Sequence, residues 1–371
     1  MLRFDVTTVT DLEAATRGEG QHASDPASAC YLIHDGTYTQ SGSTLPMLLN
    51  RGGTSATARR IFIGESRAGV KILGRVTLAD GVDHVQISNL TYDISTVADT
   101  GSYNTMSLGT GTDARIDHVT FTGDCKHGAN GGHIETNGTT DLVVEACLIE
   151  KFGRCGPSGH QDHGVYLASG SNLVLRNNEI RGNASRGIQL NTEQGTYGTL
   201  DAVTIENNRI HDNGHADYED GIVLNGGGTG TITNVMIQHN LIYGNYYSGI
   251  RQVDVAYTAV AIQKNTFYAN GEASTGALRS EMNLDSSGSG ANTTVTKNIL
   301  QPGYAALDNC YDAASRNFKL VDNVVQGTVP SGAPGNCISQ SLEQAPMFVD
   351  ATAADFHTIN SAVMNYGAYA P

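Results

Sequence analysis

Four polar side chains able to take part in acid–base chemistry lie within seven positions of one another, in the stretch SGHQDHGVYLAS at residues 158–169. They are His160, Asp162, His163 and Tyr166. Imidazole and phenol groups serve as general acids and bases in enzymes. Because side chains alternate along a strand, a strand with Val165 and Leu167 in the core turns Tyr166 outward. The stretch predicts a proton-transfer site on the outer face of a sheet, with both histidines in the loop that enters the strand.

The strand around Tyr166 belongs to an internal repeat. Six segments place an asparagine between apolar residues: VLRNNEI, TIENNRI, MIQHNLI, AIQKNTF, VTKNIL and LVDNVV. The shared residues are Asn178, Asn208, Asn240, Asn265, Asn298 and Asn323, and a second asparagine follows at positions 183, 213, 245 and 270. Short apolar strands recurring every 20–35 residues or so bury their faces only when they stack into a solenoid with one continuous core. The amide of each turn asparagine can bond the next one along the stack.

The repeat predicts an all-β fold, a single-stranded right-handed parallel β-helix with an N-terminal cap helix. We expect one domain over residues 1–371, with a cap at 1–30, coils at 31–326 and a C-terminal tail at 327–371 that packs on the last coils. The segment VTDLEAATR is the predicted cap helix, with Thr10 or Asp11 as its N-cap. A solenoid needs such a cap because its first coil would otherwise expose the core.

The six cysteines form no CxxC pair, which argues against a structural zinc site. Cys125 and Cys155 follow equivalent strands one coil apart and can form a disulfide across the stack. Cys310 and Cys337 are near enough in sequence to staple the tail. Cys147 occupies a ladder position and is predicted to be a buried free thiol. A bond in either pair would place the protein outside the cytoplasm.

Side-chain alternation also aligns one outward-facing strip across successive coils. Its predicted members are His133, Glu135, Tyr166, Gln189, Asn191, Asn225 and Arg251, with Arg279 and Glu281 as an extension. Neighbouring parallel strands are about 4.8 Å apart, so these groups would form a continuous surface. Arg186 opens one of the strands, and the loops that feed them carry Asp162 and Asp220. Such a strip, walled by loops, suits a linear sugar polymer.

The order of these segments resembles the opening of the pectate-lyase-like superfamily: a cap helix, the GTY turn at residues 36–38, and a strand run ending in ISNL at 87–90. The resemblance covers roughly residues 5 to 330 and implies the β-helix fold. At the strip, the chain is similar to uronate-acting β-helix enzymes, including alginate and chondroitin lyases and mannuronan C5-epimerases. Those enzymes place Tyr, His, Lys or Arg on the same face. This chain lacks the Asp-Pro-His-Glu motif of the epimerases and a clear Lys/Arg catalytic pair of the lyases.

The leading hypothesis is a secreted polysaccharide lyase that cleaves an uronate-containing glycan by β-elimination. His160 or His163 would transfer protons with Tyr166, and Arg251 with His133 would bind the carboxylate. The predicted substrate-binding residues are Glu135, Asp162, Arg186, Gln189, Asn191, Asp220, Asn225 and Arg279. A C5-epimerase would use nearly the same groups. A glycoside hydrolase would need two carboxylates, for which Glu135, Asp162 and Asp220 are candidates, and a non-catalytic glycan-binding β-helix is the remaining alternative.

Composition limits the partners. The net charge of −15 excludes the basic footprint of a non-specific nucleic-acid binder. No run approaches the ~18 apolar residues needed to span a membrane. We expect a polysaccharide as the partner and no required cofactor, with Ca²⁺ as an open alternative because oxygen ligands are plentiful. A metal site at His215, Asp217, Glu219 and Asp220 is a second alternative, and the sequence sets no oligomeric state.

Overall fold

The computed structural model describes most of the chain. The described residues are 1–39, 46–96, 104–126, 131–155, 161–192, 198–216, 219–226, 230–253, 257–274, 279–284, 292–302, 307–308, 318–326 and 342–370. They form a nearly all-β parallel solenoid of about 8 turns with a single short N-terminal helix, Val9–Arg17. Short 3₁₀ turns lie at Gly20–His22, Ala351–Ala353 and Ser361–Val363.

Each coil contributes one strand to each of three parallel sheets. In the described residues the 13-stranded sheet runs Arg3–Val6, Cys30–Ile33, Arg60–Gly64, Val85–Ser88, Ala114–Asp117, Val143–Glu145, Gly170–Arg176, Leu200–Glu206, Ile232–Gln238, Tyr257–Gln263, Thr293–Thr296 and Phe318–Val321, with Thr139–Thr140 paired to Gly170–Arg176. The described 12-stranded sheet runs Gly36–Thr39, Val70–Leu73, Thr91–Asp93, Thr120–Thr122, Leu148–Glu150, Glu179–Arg181, Arg209–His211, Leu241–Tyr243, Thr266–Tyr268, Ile299–Gln301, Val324–Val325 and Leu342–Glu343.

The third sheet carries the strip predicted from the sequence, and we call it the site sheet. Its ten described strands are Met47–Leu49, Val76–Leu78, Met106–Leu108, Gly131–Thr136, Asp162–Leu167, Ile188–Asn191, Ile222–Asn225, Ser248–Val253, Ser280–Asn283 and Leu307–Asp308. Val165, Ile188, Ile222 and Ile250 stack in register and are fully buried. Stacked aliphatic side chains from all three sheets fill one continuous core, as a solenoid requires.

Both predicted asparagine ladders are confirmed. In the first, each Nδ2 donates to the Oδ1 of the next asparagine, from Asn178 through Asn323 at 2.9–3.0 Å. The second ladder links Asn183 to Asn270 in the same way and ends on Glu281, whose carboxylate accepts from the Asn270 amide groups. These buried amides therefore satisfy one another along the axis, where an unpaired polar group would be costly.

The cap helix closes the first coil with Leu12 and Ala15 buried against the core. Its N-cap is Thr8, whose hydroxyl accepts a hydrogen bond from the Asp11 amide. The expected N-cap at Thr10 or Asp11 is therefore wrong by two or three residues. Thr8 takes the position because its backbone is extended while the following residues are helical.

Cys125 and Cys155 form the disulfide expected for a pair stacked on adjacent coils, with Cα atoms 4.8 Å apart. Cys147 is a buried free thiol, as predicted, and its amide donates to the first ladder asparagine at 2.9 Å. Burial raises the pKa of the Cys147 thiol to about 12. Cys310 and Cys337 lie outside the described residues.

The last described segment, 342–370, crosses the outer face of the 12-stranded sheet. It contains an antiparallel pair of strands, Phe348–Asp350 and Asp355–Thr358. Phe356 packs against Tyr243 and Tyr268, and the Ala368 amide donates to Thr266 Oγ1 at 2.9 Å. The domain boundaries themselves stay a prediction. No helix among the described residues has the length and apolar character needed to cross a membrane.

Candidate functional site

Strand register on the site sheet brings the predicted strip together. Glu135, Tyr166, Gln189, Val223, Arg251 and Asn283 follow one another across adjacent strands. Asn191 and Asn225 pair two residues further along their strands. The predicted register of Tyr166, Gln189 and Arg251 is therefore confirmed. We call this row the tyrosine row.

A second row lies beside the tyrosine row, at the start of the same strands, and we call it the entry row. Backbone pairing aligns Gly132, His163, Arg186, Asp220, Ser248 and Ser280. Ser248 was missed by the sequence reasoning, although the four middle residues of the row each directly precede the Gly of HGV, RGI, DGI or SGI in their repeats. His163 belongs to the strand Asp162–Leu167, so its expected place in the entering loop is wrong. The strand begins earlier because its first residues already pair with Gly131 and Gly132.

Tyr166 joins the two rows. Its ring stacks on the His163 ring, with centroids 5.5 Å apart and planes 26° apart. Its hydroxyl oxygen accepts a hydrogen bond from Asn191 Nδ2 at 2.5 Å. The Tyr166 side chain is half-buried, whereas His163 is nearly fully buried beneath it. The phenol is thus held from two sides and still reaches the surface.

Two arginines flank an aspartate next to Tyr166. Arg251 Nε donates to Asp220 Oδ2 at 2.8 Å, and both side chains are buried. Arg186 Nη1 donates to Gln189 Oε1 at 2.7 Å. Burial lowers the pKa of Arg186 to about 10, with the nearby Arg251 charge acting in the same direction. The carboxylates of Asp220 and Glu219 both lie near enough to Arg186 to oppose this lowering.

His163 is neutral around pH 7. Burial, with a smaller contribution from the Arg186 charge, sets the pKa of its imidazole well below the ordinary value. Its Nδ1 atom is buried and has no hydrogen-bond partner among the described residues. A neutral imidazole in this position can pack against the phenol without adding a second cation beside Arg186.

His133 lies inside the solenoid, and its expected outward orientation is wrong. Its Nε2 donates to the Glu150 carbonyl at 2.8 Å, its Nδ1 accepts from Thr105 at 2.7 Å, and its ring packs on Phe152. Burial lowers its pKa to about 4. The residue pairs in register with Gly164, at the corner where the chain enters the sheet and two successive side chains face inward. His133 therefore cannot bind a substrate carboxylate.

Asp162 and the proposed extension of the strip are corrected as well. Asp162 is fully buried, and Arg154 binds both of its carboxylate oxygens at 2.9 and 3.0 Å, so it holds the loop rather than contacting substrate. Arg279 and Glu281 were expected to continue the strip beyond Arg251. Asn283 occupies that position instead. Glu281 faces inward and ends the second ladder because it aligns with the corner residue Gly249. Arg279 precedes Ser280 and lies before the entry row.

Glu135 keeps its predicted place beside Tyr166. It is partly buried, and desolvation raises the pKa of its carboxyl group, while a hydrogen bond with Asn104 opposes the rise. Asn225 is partly exposed in the row beyond Val223. His160 and Asp217 lie outside the described residues.

The described residues do not assemble His215, Glu219 and Asp220 into a metal site. The Glu219 carboxylate instead accepts hydrogen bonds from the backbone amides of residues 215 and 216 at 2.5 and 2.8 Å. Among the described residues, the potential ligand atoms of Cys125, Cys155 and His215 lie within 4.8 Å of one another. The two sulfur atoms of this group are joined in the disulfide. The expected alternative of a metal at His215, Asp217, Glu219 and Asp220 therefore has no support from the described part of the chain.

Residues 78–256 match the family described as right handed beta helix region. Among solved structures, the family 6 alginate lyase AlyGC superposes with a TM-score of 0.51 and 11% identity, covering 98% of this chain and 56% of the lyase. The A-module of mannuronan C-5 epimerase AlgE4 from Azotobacter vinelandii superposes at 0.53 and 15%, covering 92% and 100%. PfbA, a surface adhesin of Streptococcus pneumoniae, superposes at 0.52 and 15%, covering 86% and 80%. No curated protein sequence matches the chain.

These findings confirm the right-handed β-helix that the repeat predicted, and the structures that share this fold include an alginate lyase and a mannuronan C-5 epimerase. The chain spans about half the length of the alginate lyase it superposes on. Because every identity lies below 16%, the likeness shows a shared fold.

Proposed function

We propose that the protein is a polysaccharide lyase that cleaves an uronate-containing glycan by β-elimination on the outer face of the site sheet. The observation that carries the proposal is the succession of Tyr166, Arg186 and Arg251 along one sheet: Arg186 lies on the coil next to Tyr166, and Arg251 lies two coils further along, near enough for its charge to act on Arg186. β-Elimination needs a cationic group at the carboxylate, a base for the C5 proton and an acid for the leaving oxygen.

Arg251 and Arg186 are the proposed carboxylate ligands, the latter replacing His133 in that role. A guanidinium offers paired donors that fit a carboxylate, and a partly desolvated one binds it more strongly than an exposed one. Asp220 orients Arg251 through the 2.8 Å bond and offsets one of the two positive charges. A guanidinium bound to the substrate carboxylate stabilises the negative charge that develops when C5 loses its proton.

Tyr166 is the proposed proton carrier. Its phenolate takes the proton from C5, the C5 electron pair forms the C4–C5 double bond, and the C4–O4 bond breaks. The phenol then donates the same proton to O4, which restores the phenolate. Asn191 and the Arg186 charge favour the phenolate by hydrogen bonding and by electrostatic attraction. His163 positions the ring from beneath, and Gln189, Asn191 and Asn225 are the proposed ligands of sugar hydroxyls.

A glycoside hydrolase fits this geometry less well. Hydrolysis of a glycosidic bond uses two carboxyl groups that flank it. Of the three predicted carboxylates, Asp220 is bound to Arg251 and Asp162 is bound to Arg154. Glu135 is the one candidate of the three that no arginine among the described residues binds. A lyase or an epimerase needs no second carboxylate.

The test is absorbance near 235 nm, where an unsaturated uronate absorbs, on a panel of uronate polysaccharides. We expect a rise with at least one polymer, and a loss of at least a thousandfold in kcat for Tyr166→Phe, since the phenyl ring cannot carry a proton. Tyr268→Phe, an outward tyrosine on the 12-stranded sheet, is the matched control and should keep full activity. We expect EDTA to leave the rate unchanged.

Other outcomes separate the alternatives. Exchange of the C5 hydrogen with deuterated solvent without a change in absorbance would replace the lyase by a C5-epimerase. New reducing ends without absorbance would indicate a hydrolase. Binding without chemical change would leave a glycan-binding β-helix. The Cys125–Cys155 disulfide supports an extracytoplasmic location, which suits an enzyme that acts on a polymer.

A further inference from the structure

Four neighbouring side chains of the entry row each carry a buried polar atom without a hydrogen-bond partner among the described residues. The atoms are His163 Nδ1, Arg186 Nε, Asp220 Oδ1 and Ser248 Oγ. They lie on four consecutive coils, and at about 4.8 Å per coil they span roughly 14 Å along the solenoid axis. Buried polar groups nearly always have partners, so four in one register mark a place built for a ligand.

Both ends of the entry row are closed. Gly132 has no side chain, and a Cβ atom there would come within 3.1–3.3 Å of Tyr166. At the other end, the Ser280 hydroxyl is fully buried but donates to the Met282 carbonyl at 2.8 Å. The unpartnered atoms are thus confined to the stretch beside Tyr166 and Arg251. Arg186, in the middle of the row, is partly exposed, whereas the side chains of His163, Asp220 and Ser248 are buried in the free protein.

The chemistry of the four atoms points to hydroxyl groups. Arg186 Nε donates, Asp220 Oδ1 accepts, and the His163 imidazole and the Ser248 hydroxyl can each bond to an O–H group. A hydroxyl both donates and accepts, so successive hydroxyls can satisfy such a mixed row of donors and acceptors. A sugar polymer supplies hydroxyls at regular intervals along its length.

We propose that the four entry-row residues from His163 to Ser248 bind the hydroxyl groups of the sugars that adjoin the reacting uronate, so that the glycan lies along the solenoid axis from His163 towards Ser248. The proposal rests on the proposed function for the position of the reacting sugar at Tyr166. It assigns a binding role to Ser248, two strands beyond Arg186, and extends the site towards the C-terminal coils.

Ser248→Ala tests the proposal. Removing a buried hydroxyl that has no partner should leave the Tm unchanged or raise it, because nothing in the free protein is lost. With substrate, KM should rise about five- to tenfold for polymer and long oligosaccharides, the value of one hydrogen bond, while kcat stays constant. The shortest cleavable oligosaccharide should show no difference, since it does not reach Ser248.

Ser280→Ala is the matched control, from the same row and equally buried. It should lower the Tm, because the Met282 carbonyl loses its donor, and leave KM unchanged. An unchanged KM for Ser248→Ala on an active wild-type enzyme would overturn the proposal and assign the row to ordered water. A wild-type enzyme inactive on the whole panel would instead overturn the proposed function, so the two failures are distinguishable.

Discussion

At the scale of single residues, the local direction of the chain decides whether a polar side chain is exposed or buried. Tyr166 reaches the surface, and His163 two residues into the strand supports it from below. His133, at a corner of the preceding coil, is enclosed by Phe152, Thr105 and a carbonyl. Residue type alone predicts the same acid–base chemistry for both histidines, and only their surroundings separate them.

The buried His133 makes stability depend on pH. Its pKa is about 4 in the folded protein, against an ordinary value near 6.5 in the unfolded chain. Between these values the unfolded chain binds a proton that the folded protein does not. The neutral His133 therefore contributes about 3 kcal/mol to the free energy of unfolding above pH 6.5. This contribution is lost as the pH falls from 6.5 towards 4. Denaturant unfolding at a series of pH values measures it.

His133→Gln is the variant to compare, because it keeps a donor for the Glu150 carbonyl and does not titrate. We expect it to be less stable at pH 7 and to show a smaller loss of unfolding free energy between pH 6.5 and pH 4 than the wild type. Equal pH slopes for the two proteins would show that His133 is not the group responsible.

At the scale of elements, the asparagine ladders hold one corner of every later coil. Asn240 donates to Ile205 O and to Asn265 Oδ1, and its own Oδ1 accepts from Asn208. The residue before it, His239, has a φ of 55°, in the left-handed region that a turn requires. The buried hydrogen bonds of Asn240 thus link this corner to the coils on both sides and offset the backbone strain there.

Asn240→Ala removes one member of this network and leaves partners on both neighbouring coils unpaired. We expect a loss of about 3 kcal/mol in the free energy of unfolding, since each buried orphan costs about 1–3 kcal/mol. Asn137→Ala, at an exposed turn, should change stability by less than about 0.5 kcal/mol. Urea unfolding of the two variants provides the comparison, and equal midpoints would contradict a stabilising role for the ladder.

At the scale of the whole molecule, the solenoid and the C-terminal segment 342–370 are stabilised differently. The coils share one core and two ladders, whereas the segment rests on the 12-stranded sheet through Phe356 and a few polar contacts. In a solenoid each coil depends mainly on its neighbours. Loss of the segment therefore leaves the site sheet, which lies on another face, with its own contacts.

Phe356→Ala tests this independence. Truncating the buried ring should cost about 3 kcal/mol and release the segment from Tyr243 and Tyr268. Limited proteolysis should then cut within 342–370 and leave a stable β-helix core that keeps the activity proposed above. Ile359→Ala, exposed in the same segment, should resist proteolysis like the wild type. Simultaneous loss of core and segment would show that they unfold as one unit.

The repeat of the sequence was sufficient to predict the β-helix, both ladders, the Cys125–Cys155 pair and the shared face of Tyr166, Gln189 and Arg251. These features follow from local periodicity, because a side-chain period of two and a stacking repeat act at every coil. The tertiary structure decided that His133, Asp162 and Glu281 are buried and that Arg186, Asp220 and Ser248 continue, coil by coil, the row that begins with His163 beneath Tyr166. At the corners between sheets, two successive residues face inward, so alternation fails there and only the packed neighbours determine the direction of a side chain.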